Sequence, residues 1–196
     1  MRVSRVVNSF YASCTYVLNG CCVVDCGDVK PLLPLIQSDC FKAVFLTHGH
    51  YDHIYGLNEL CEMFPSVVIY CSEWTARQLL DEKLNISFYH ETPFKYAFPD
   101  RIVTIADGDR VVLNEDLSLT AIHTPGHTPG CVTWMTDEAL FTGDAYIPGV
   151  KVVTKLPFGN RTMAAKSLEL IKSLAEDITI YPGHSIEQKA ISDRIF

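Results

Sequence analysis

The densest chemistry in the 196-residue chain lies in Thr47-His48-Gly49-His50-Tyr51-Asp52-His53, which holds three of its seven histidines. Imidazole and carboxylate are ligands for divalent cations. The segment follows a run of strand residues, 43–46, and opens a helix. Four donors therefore share one strand-to-helix turn, which can aim successive side chains at a common volume. Crowding three imidazoles and an acid there without a cation would leave each polar group in need of its own partner. Three later positions share this grammar. His127 sits in Thr124-Pro125-Gly126-His127-Thr128-Pro129-Gly130, beyond a strand end. Asp144 closes Leu140-Phe141-Thr142-Gly143-Asp144. His184 closes Ile178-Thr179-Ile180-Tyr181-Pro182-Gly183-His184. In every case a metal-type donor lies just past a buried strand and beside glycine, which puts all of them on one edge of a layered fold. His90, in an aromatic loop, and His123, a strand-end residue, read as structural.

The elements that must position these donors are legible in outline. Segments 16–18, 22–25, 43–47, 67–71, 102–105, 118–123, 132–135 and 178–181 are rich in Val, Ile, Leu or aromatics and are bounded by Gly, Pro, Asn or Asp, so they read as strands. Asn19-Gly20 predicts a tight hairpin. Asp107-Gly108-Asp109 and Asn114-Glu115-Asp116 mark further turns. Ile54, Leu57, Cys61 and Phe64 recur at helical spacing over 53–64. Ser72 is placed to cap a helix through Leu80, and Asn160 a helix over 161–175, with a weaker helix at 31–38. The segment 82–100 carries Phe88, Tyr89, Phe94, Tyr96 and Phe98, and reads as a packed aromatic loop or the lip of a cleft rather than a linker. Mixed strands and helices without a strict repeat suggest two sheets with helices outside.

H-x-H-x-D-H, T-P-G-H-T-P-G, T-G-D and P-G-H, in that order from about residue 8 to 190, resemble the metallo-β-lactamase fold superfamily, in particular its glyoxalase II-like thioester-hydrolase branch. The resemblance implies an α/β fold, a four-layer αββα sandwich of two mixed sheets with helices on the outer faces, as a single domain spanning 1–196. It also implies a dinuclear metal centre, with His48, His50 and His127 on the first cation, Asp52, His53 and His184 on the second, and Asp144 bridging. Zinc is the default, and iron or manganese suits the same nitrogen and oxygen donors. Such a pair of cations would carry a bridging hydroxide at neutral pH and cleave an ester, thioester or related small acyl substrate. Asp52 would orient the nucleophile and accept its proton. The alternative on the same fold is a mononuclear Fe(II) persulfide dioxygenase, with His48, His127 and Asp144 as a facial triad. Twelve residues follow His184, so the helical C-terminal domain that supplies glutathione contacts in glyoxalase II is not expected, which puts glutathione specificity in doubt. Tyr146, Lys151, Lys155 and Arg161, shortly after the bridging acid, are candidate substrate-binding residues.

Composition sets the frame. A formal charge of -7 argues against nucleic acid as the main partner, and no apolar run is long enough to span a membrane. A small-molecule substrate is expected, and a homodimer is left open. Arg2 and Arg5 precede a semi-apolar stretch broken by Asn8 and Ser9, which reads as the first hairpin of a cytoplasmic protein rather than a processed signal. The eight cysteines form no C-x-x-C pair and read as buried thiols in a reducing compartment rather than a disulfide framework.

Overall fold

The computed structural model describes residues 1–186; the last residues of the expected match and of the expected 1–196 domain lie outside them. One six-stranded sheet contains β1 (Val3–Val7), β2 (Cys14–Leu18), β3 (Cys22–Val24), β4 (Ala43–Phe45), β5 (Val68–Ser72) and β6 (Ile102–Ile105), in that spatial order. β1, β2 and β3 are antiparallel, and β3 through β6 are parallel. A second, five-stranded sheet contains β7 (Arg110–Asn114), β8 (Leu117–His123), β9 (Val132–Met135), β10 (Ala139–Gly143) and β11 (Thr179–Pro182), in the order β11-β10-β9-β8-β7. Among the described residues three α-helices accompany them: α1 (Leu57–Met63) and α2 (Glu73–Leu79) between parallel strands of the first sheet, and α3 (Arg161–Leu174) between β10 and β11.

The side-chain alternation of the strands builds the layers. Tyr16, Leu18, Cys22, Val24, Ala43 and Phe45 point to one face and pack against Leu119, Ala121, Val132, Trp134 and Phe141 of the second sheet. Val17, Val23, Val44 and Ile69 point the other way, onto Leu57, Leu60, Cys61 and Leu79 of α1 and α2. A strand buried on both faces must be apolar at every position, which is why these runs read as continuous hydrophobic stretches. Trp134 ties the sheets by donating from Nε1 to the Leu46 carbonyl at 3.0 Å. On the far side, Ile171 of α3 packs with Cys131 and Ala145. The arrangement is the expected sandwich of two mixed sheets with helices outside.

Local signals held where backbone chemistry is strong. Asn19 (φ 51°) and Gly20 (φ 75°) make the tight turn between β2 and β3. Ser72 accepts the Thr75 N–H, and Asn160 accepts the Met163 N–H, as N-caps of α2 and α3. The helix expected over 53–64 is shorter. A 3-10 turn, Tyr51–His53, precedes α1, which starts only at Leu57. His50 is still extended (ψ 148°), so the donors before Leu57 project from irregular backbone rather than from one helical face. At 31–38 only a 3-10 turn, Leu33–Leu35, forms, because Pro34 has no N–H to give a helix. The cysteine reading is corrected in part: Cys21 and Cys40 form a disulfide, their Cα atoms 4.9 Å apart, while the other six cysteines are free and buried. Burial pushes the Cys71 thiol up to about 12 and the Cys131 thiol up to about 11, which suits packing rather than nucleophilic roles.

Candidate metal centre

The strands of both sheets deliver their donors to one place. His48, His50 and His53 follow β4; His127 lies in the loop from β8 to β9; Asp144 directly follows β10, and His184 follows β11 after Gly183. The side chains of His48, His50, His53 and His127 are almost wholly buried. Gly183 is required for the approach of β11 to β10, because a Cβ there would strike the Asp144 carboxylate.

Two triads result. The donor atoms of His48, His50 and His127 lie within 4.8 Å of one another, as do those of Asp52, His53 and His184; each set could hold a cation, and so could His48, His53 and Asp144. His127 Nε2 and His50 Nδ1 face each other at 2.9 Å, and His53 Nε2 and His184 Nε2 at 3.3 Å. Asp144 spans both triads. One oxygen lies 3.4 Å from His53 Nε2, and the other lies 3.5 Å from His127 Nε2 and 3.3 Å from His184 Nε2. Asp52 Oδ2 stands 3.4 Å from His184 Nε2 and 3.5 Å from His53 Nε2. Two atoms in this cluster, His48 Nε2 and Asp144 Oδ1, are buried with no hydrogen-bond partner. Orphaned, inward-facing lone pairs are costly unless a cation takes them. The residues therefore fit a metal centre.

The far side of each ring explains which nitrogen faces inward. His127 Nδ1 donates to the Val153 carbonyl at 2.7 Å, and His184 Nδ1 to the Tyr11 carbonyl at 2.9 Å. His53 Nδ1 donates to Asp25 Oδ2 at 2.9 Å. His48 Nδ1 lies 3.1 Å from Thr47 Oγ1, whose hydroxyl donates to the same Asp25 oxygen at 2.7 Å. With the proton fixed on Nδ1, the Nε2 lone pair of each of these four rings is presented to the centre. Asp25 also accepts the Thr47 N–H at 2.8 Å. It is buried and has a left-handed backbone (φ 57°). Sequence reasoning passed over it as the end of a strand. The available signal was an acid closing an otherwise wholly apolar run. The carbonyls of Tyr11 and Val153 carry no sequence signal at all.

Electrostatics divide the cluster. Burial, reinforced by His53 and His50, holds the His48 imidazole well below its ordinary range. Burial and the neighbouring His127 pull His50 down to about 3. Burial opposes charge on His53 as well, but Asp52, Asp25 and Asp144 outweigh it and raise its affinity for a proton. For His184, Asp144 outweighs burial in the same way. Asp144 is held well below the usual carboxylate range, because His184 and His53 overcome its burial.

A cavity of about 720 Å³ opens beside Asp144 and His184, walled by Phe10, Tyr11, Ile147, Val150 and Lys151 among others. Of the four substrate-binding candidates, Lys151 lines it. Tyr146 instead packs with Cys131, Ala145 and Ile171, and Lys155 and Arg161 are exposed outside its lining. The aromatic loop divides: Phe94 and Tyr96 enter the core, while Phe88 and Tyr89 are exposed. His90 lines the cavity and packs on Tyr51, ring centres 4.5 Å apart. Its loop position concealed this. His123 stays outside the triads; its amide donates to Asp107. Among the described residues no helix is long and apolar enough to cross a membrane.

A model of the metallo-beta-lactamase superfamily matches residues 39–184. A hydroxyacylglutathione hydrolase of Tolumonas auensis is 29% identical over 177 residues, 89% of this chain and 60% of that protein. The chain spans about 60% of the length of the curated relatives it matches. Among solved structures, the BLEG-1 B3 metallo-beta-lactamase superposes with a TM-score of 0.82 at 26% identity, covering 94% of this chain and 92% of that one. TTHA1623 in a di-iron-bound form gives 0.79 at 23%, covering 93% and 92%.

Proposed function

Because the chain belongs to the metallo-β-lactamase superfamily, we propose that it is a metal-dependent hydrolase of an ester, thioester or related small acyl substrate. His48, His50 and His127 would hold one divalent cation, Asp52, His53 and His184 a second, and Asp144 would lie between them. The observation that carries this reading is the pair of triads joined by one carboxylate, with four imidazoles already set in the tautomer that offers Nε2 inward. Zinc is the proposed metal; donors of this kind also serve iron, and TTHA1623 was solved with two irons.

Cations held by these two triads would supply a water ionised at roughly pH 7 and a Lewis acid for a carbonyl oxygen. The protein's residues do the rest. Asp52 orients the attacking water and takes its proton. The buried ring of carboxylates around His53 keeps the donor set anchored while charge moves. Phe10, Ile147 and Val150 shield the acyl group from water in the cavity beside Asp144, and Lys151 receives an anionic end of the substrate. No serine or cysteine nucleophile is needed, in keeping with thiols held protonated by burial. The partner is a small molecule; the compartment proposed from the sequence is the cytoplasm, and the Cys21–Cys40 disulfide counts against a reducing one.

Elemental analysis of the purified protein, followed by a panel of thioesters, lactones and phosphodiesters, tests the proposal. Two cations per chain and hydrolysis abolished by chelator are expected, with Asp144→Ala losing metal and turnover together. Hydrolysis retained by metal-free Asp144→Ala protein refutes it. One iron per chain with oxygen consumption selects the dioxygenase alternative instead.

A further inference from the structure

The loop over residues 8–13, between β1 and β2, runs beside the second triad and has an unusual backbone. Two successive non-glycine residues in it, Tyr11 (φ 51°) and Ala12 (φ 55°), occupy the left-handed region. Such strain persists only where the surroundings over-determine it, and it concentrates where a site needs a particular atom placed. Here the placed atoms are two carbonyl oxygens. Tyr11 O accepts from His184 Nδ1 at 2.9 Å, and Ala12 O accepts from the Ser185 N–H at 2.9 Å. Ser13 forms a β-bridge with His184, and its hydroxyl donates to the Asp52 carbonyl at 2.7 Å. One loop thus fixes two of the three donors of the second triad. Among the described residues it makes no hydrogen bond to His48, His50 or His127.

The loop is in turn held by one carboxylate. Asp28 accepts the Ser9 N–H at 2.7 Å, the Ser9 hydroxyl at 2.9 Å and the Tyr55 hydroxyl at 2.7 Å. Its own N–H donates to Asn8 Oδ1 at 3.1 Å, and Asn8 Nδ2 reaches Ser13 Oγ at 3.1 Å. Phe10 packs edge-on against Tyr55 and Tyr51, ring centres 5.2 and 5.4 Å away. Asp28 touches no donor of either triad and has no part in the proposed chemistry, yet it gathers both ends of this support: Ser9 in the loop, and Tyr55 on the segment that follows His53.

We propose that Asp28 is a positioning residue for the second metal centre alone. By clamping Ser9 and Tyr55 it holds the strained turn at Tyr11 and Ala12, and through the Tyr11 carbonyl and the Ser13 hydroxyl it keeps His184 and Asp52 in register with His53. The inference rests on the two-centre reading above. Its signature is asymmetry: loosening the loop weakens one centre and leaves the other, which is anchored by Thr47 and Val153, unchanged.

Titration of metal-free protein with cobalt(II), followed by visible absorption and calorimetry, tests this. The parent should take up two cations. Asp28→Ala should bind the second roughly 10- to 100-fold more weakly, as expected when an outer-shell support is lost, and the first within about two-fold of the parent. Tyr55→Phe, which keeps the ring packing and removes one donor to Asp28, should show a smaller loss with the same split, and carries the test if Asp28→Ala does not fold. Unchanged binding of both cations overturns the inference, as does equal weakening of both. A parent that takes up a single cation fails differently: it overturns the two-centre reading, and this inference with it.

Discussion

Asp25 offers the sharpest test of how the centre is organised, because one buried carboxylate serves both triads. It accepts from Thr47 N at 2.8 Å, Thr47 Oγ1 at 2.7 Å and His53 Nδ1 at 2.9 Å. Asp25→Asn keeps the shape and replaces one oxygen with a donor. Placed toward Thr47 N, the new NH2 group meets an N–H that can only donate. Placed toward His53, it forces the ring proton onto Nε2, the atom that should face the cation. Either way one buried donor loses its acceptor, at about 1–3 kcal/mol, and the remaining bonds lose the charge assistance that separates about 1.5–3 from about 0.5–1.5 kcal/mol. The metal-free variant should therefore be less stable by about 3 kcal/mol. Metal binding should suffer in both centres, since Thr47 passes the same anchor to His48. A loss of roughly 10- to 100-fold per cation corresponds to about 1.4–2.7 kcal/mol. Urea denaturation of chelated protein gives the first quantity and cobalt(II) titration the second. An Asp25→Asn protein as stable as its parent, with both cations bound at parental affinity, would refute the assignment of ring tautomers on which the centre's description depends.

Two further outcomes follow from the same structure. His53 and His184 hold protons more tightly than an ordinary imidazole when no metal is present, so loading the centre at neutral pH should displace at least about one proton per chain. Apparent cation affinity should then rise with pH from the ordinary imidazole range up through the raised values, and a weakly buffered titration with an indicator dye that shows no proton release contradicts the shifts. The Cys21–Cys40 disulfide, with a sequence separation of 19, should stabilise the fold by about 3 kcal/mol through restriction of the unfolded chain. Reductant, or Cys40→Ser, should lower the melting temperature of metal-free protein by roughly 5–10 °C, and coincident melting curves with and without reductant would disprove the bond's contribution.

What could be read from the chain divides along a physical line. Candidate metal donors announce themselves by side-chain type, and each motif that carries them has a glycine past a buried strand, so the seven candidate positions from His48 to His184 could be named from the sequence; the structure brings them into one cluster, and their role as ligands is the proposal made above. Their anchors could not be named from the sequence, because a backbone carbonyl such as that of Tyr11 or Val153 belongs to every residue alike. Asp25 had a type but no spacing, and it meets His53 only because β3 and β4 pair in parallel. The same distinction holds in the fold. Interior strands, buried on both faces, read clearly, whereas the half-exposed edge strands divide: β6 and β11 are runs without a charged residue and were read, while β1 and β7 carry Arg5 and Arg110 with polar neighbours and were not read as separate strands. Cys21 and Cys40 meet because Lys42 lies beside Cys21 just ahead of the β3–β4 pairing, its N–H donating to the Cys21 carbonyl, a proximity that spacing alone does not encode.

The H-x-H pair shows why the anchors matter as much as the donors. His48 and His50 stand two residues apart, and the backbone at His50 is extended, so both side chains leave toward one side. The two rings nevertheless approach the centre through different atoms: His48 is anchored at Nδ1 through Thr47, leaving Nε2 to reach inward, while His50 turns its nearer nitrogen, Nδ1, toward His127 Nε2. Gly49 between them is held by Gln78, whose Oε1 accepts its N–H at 3.2 Å, and a Cβ at Gly49 would run into that same side chain. The glycine in the motif thus belongs to the packing of α2 against the turn, whereas the two histidines belong to the centre. Replacing Gly49 and replacing His50 would then fail for separable reasons: the first by displacing α2 in metal-free protein, the second by removing a donor from a fold that otherwise stands.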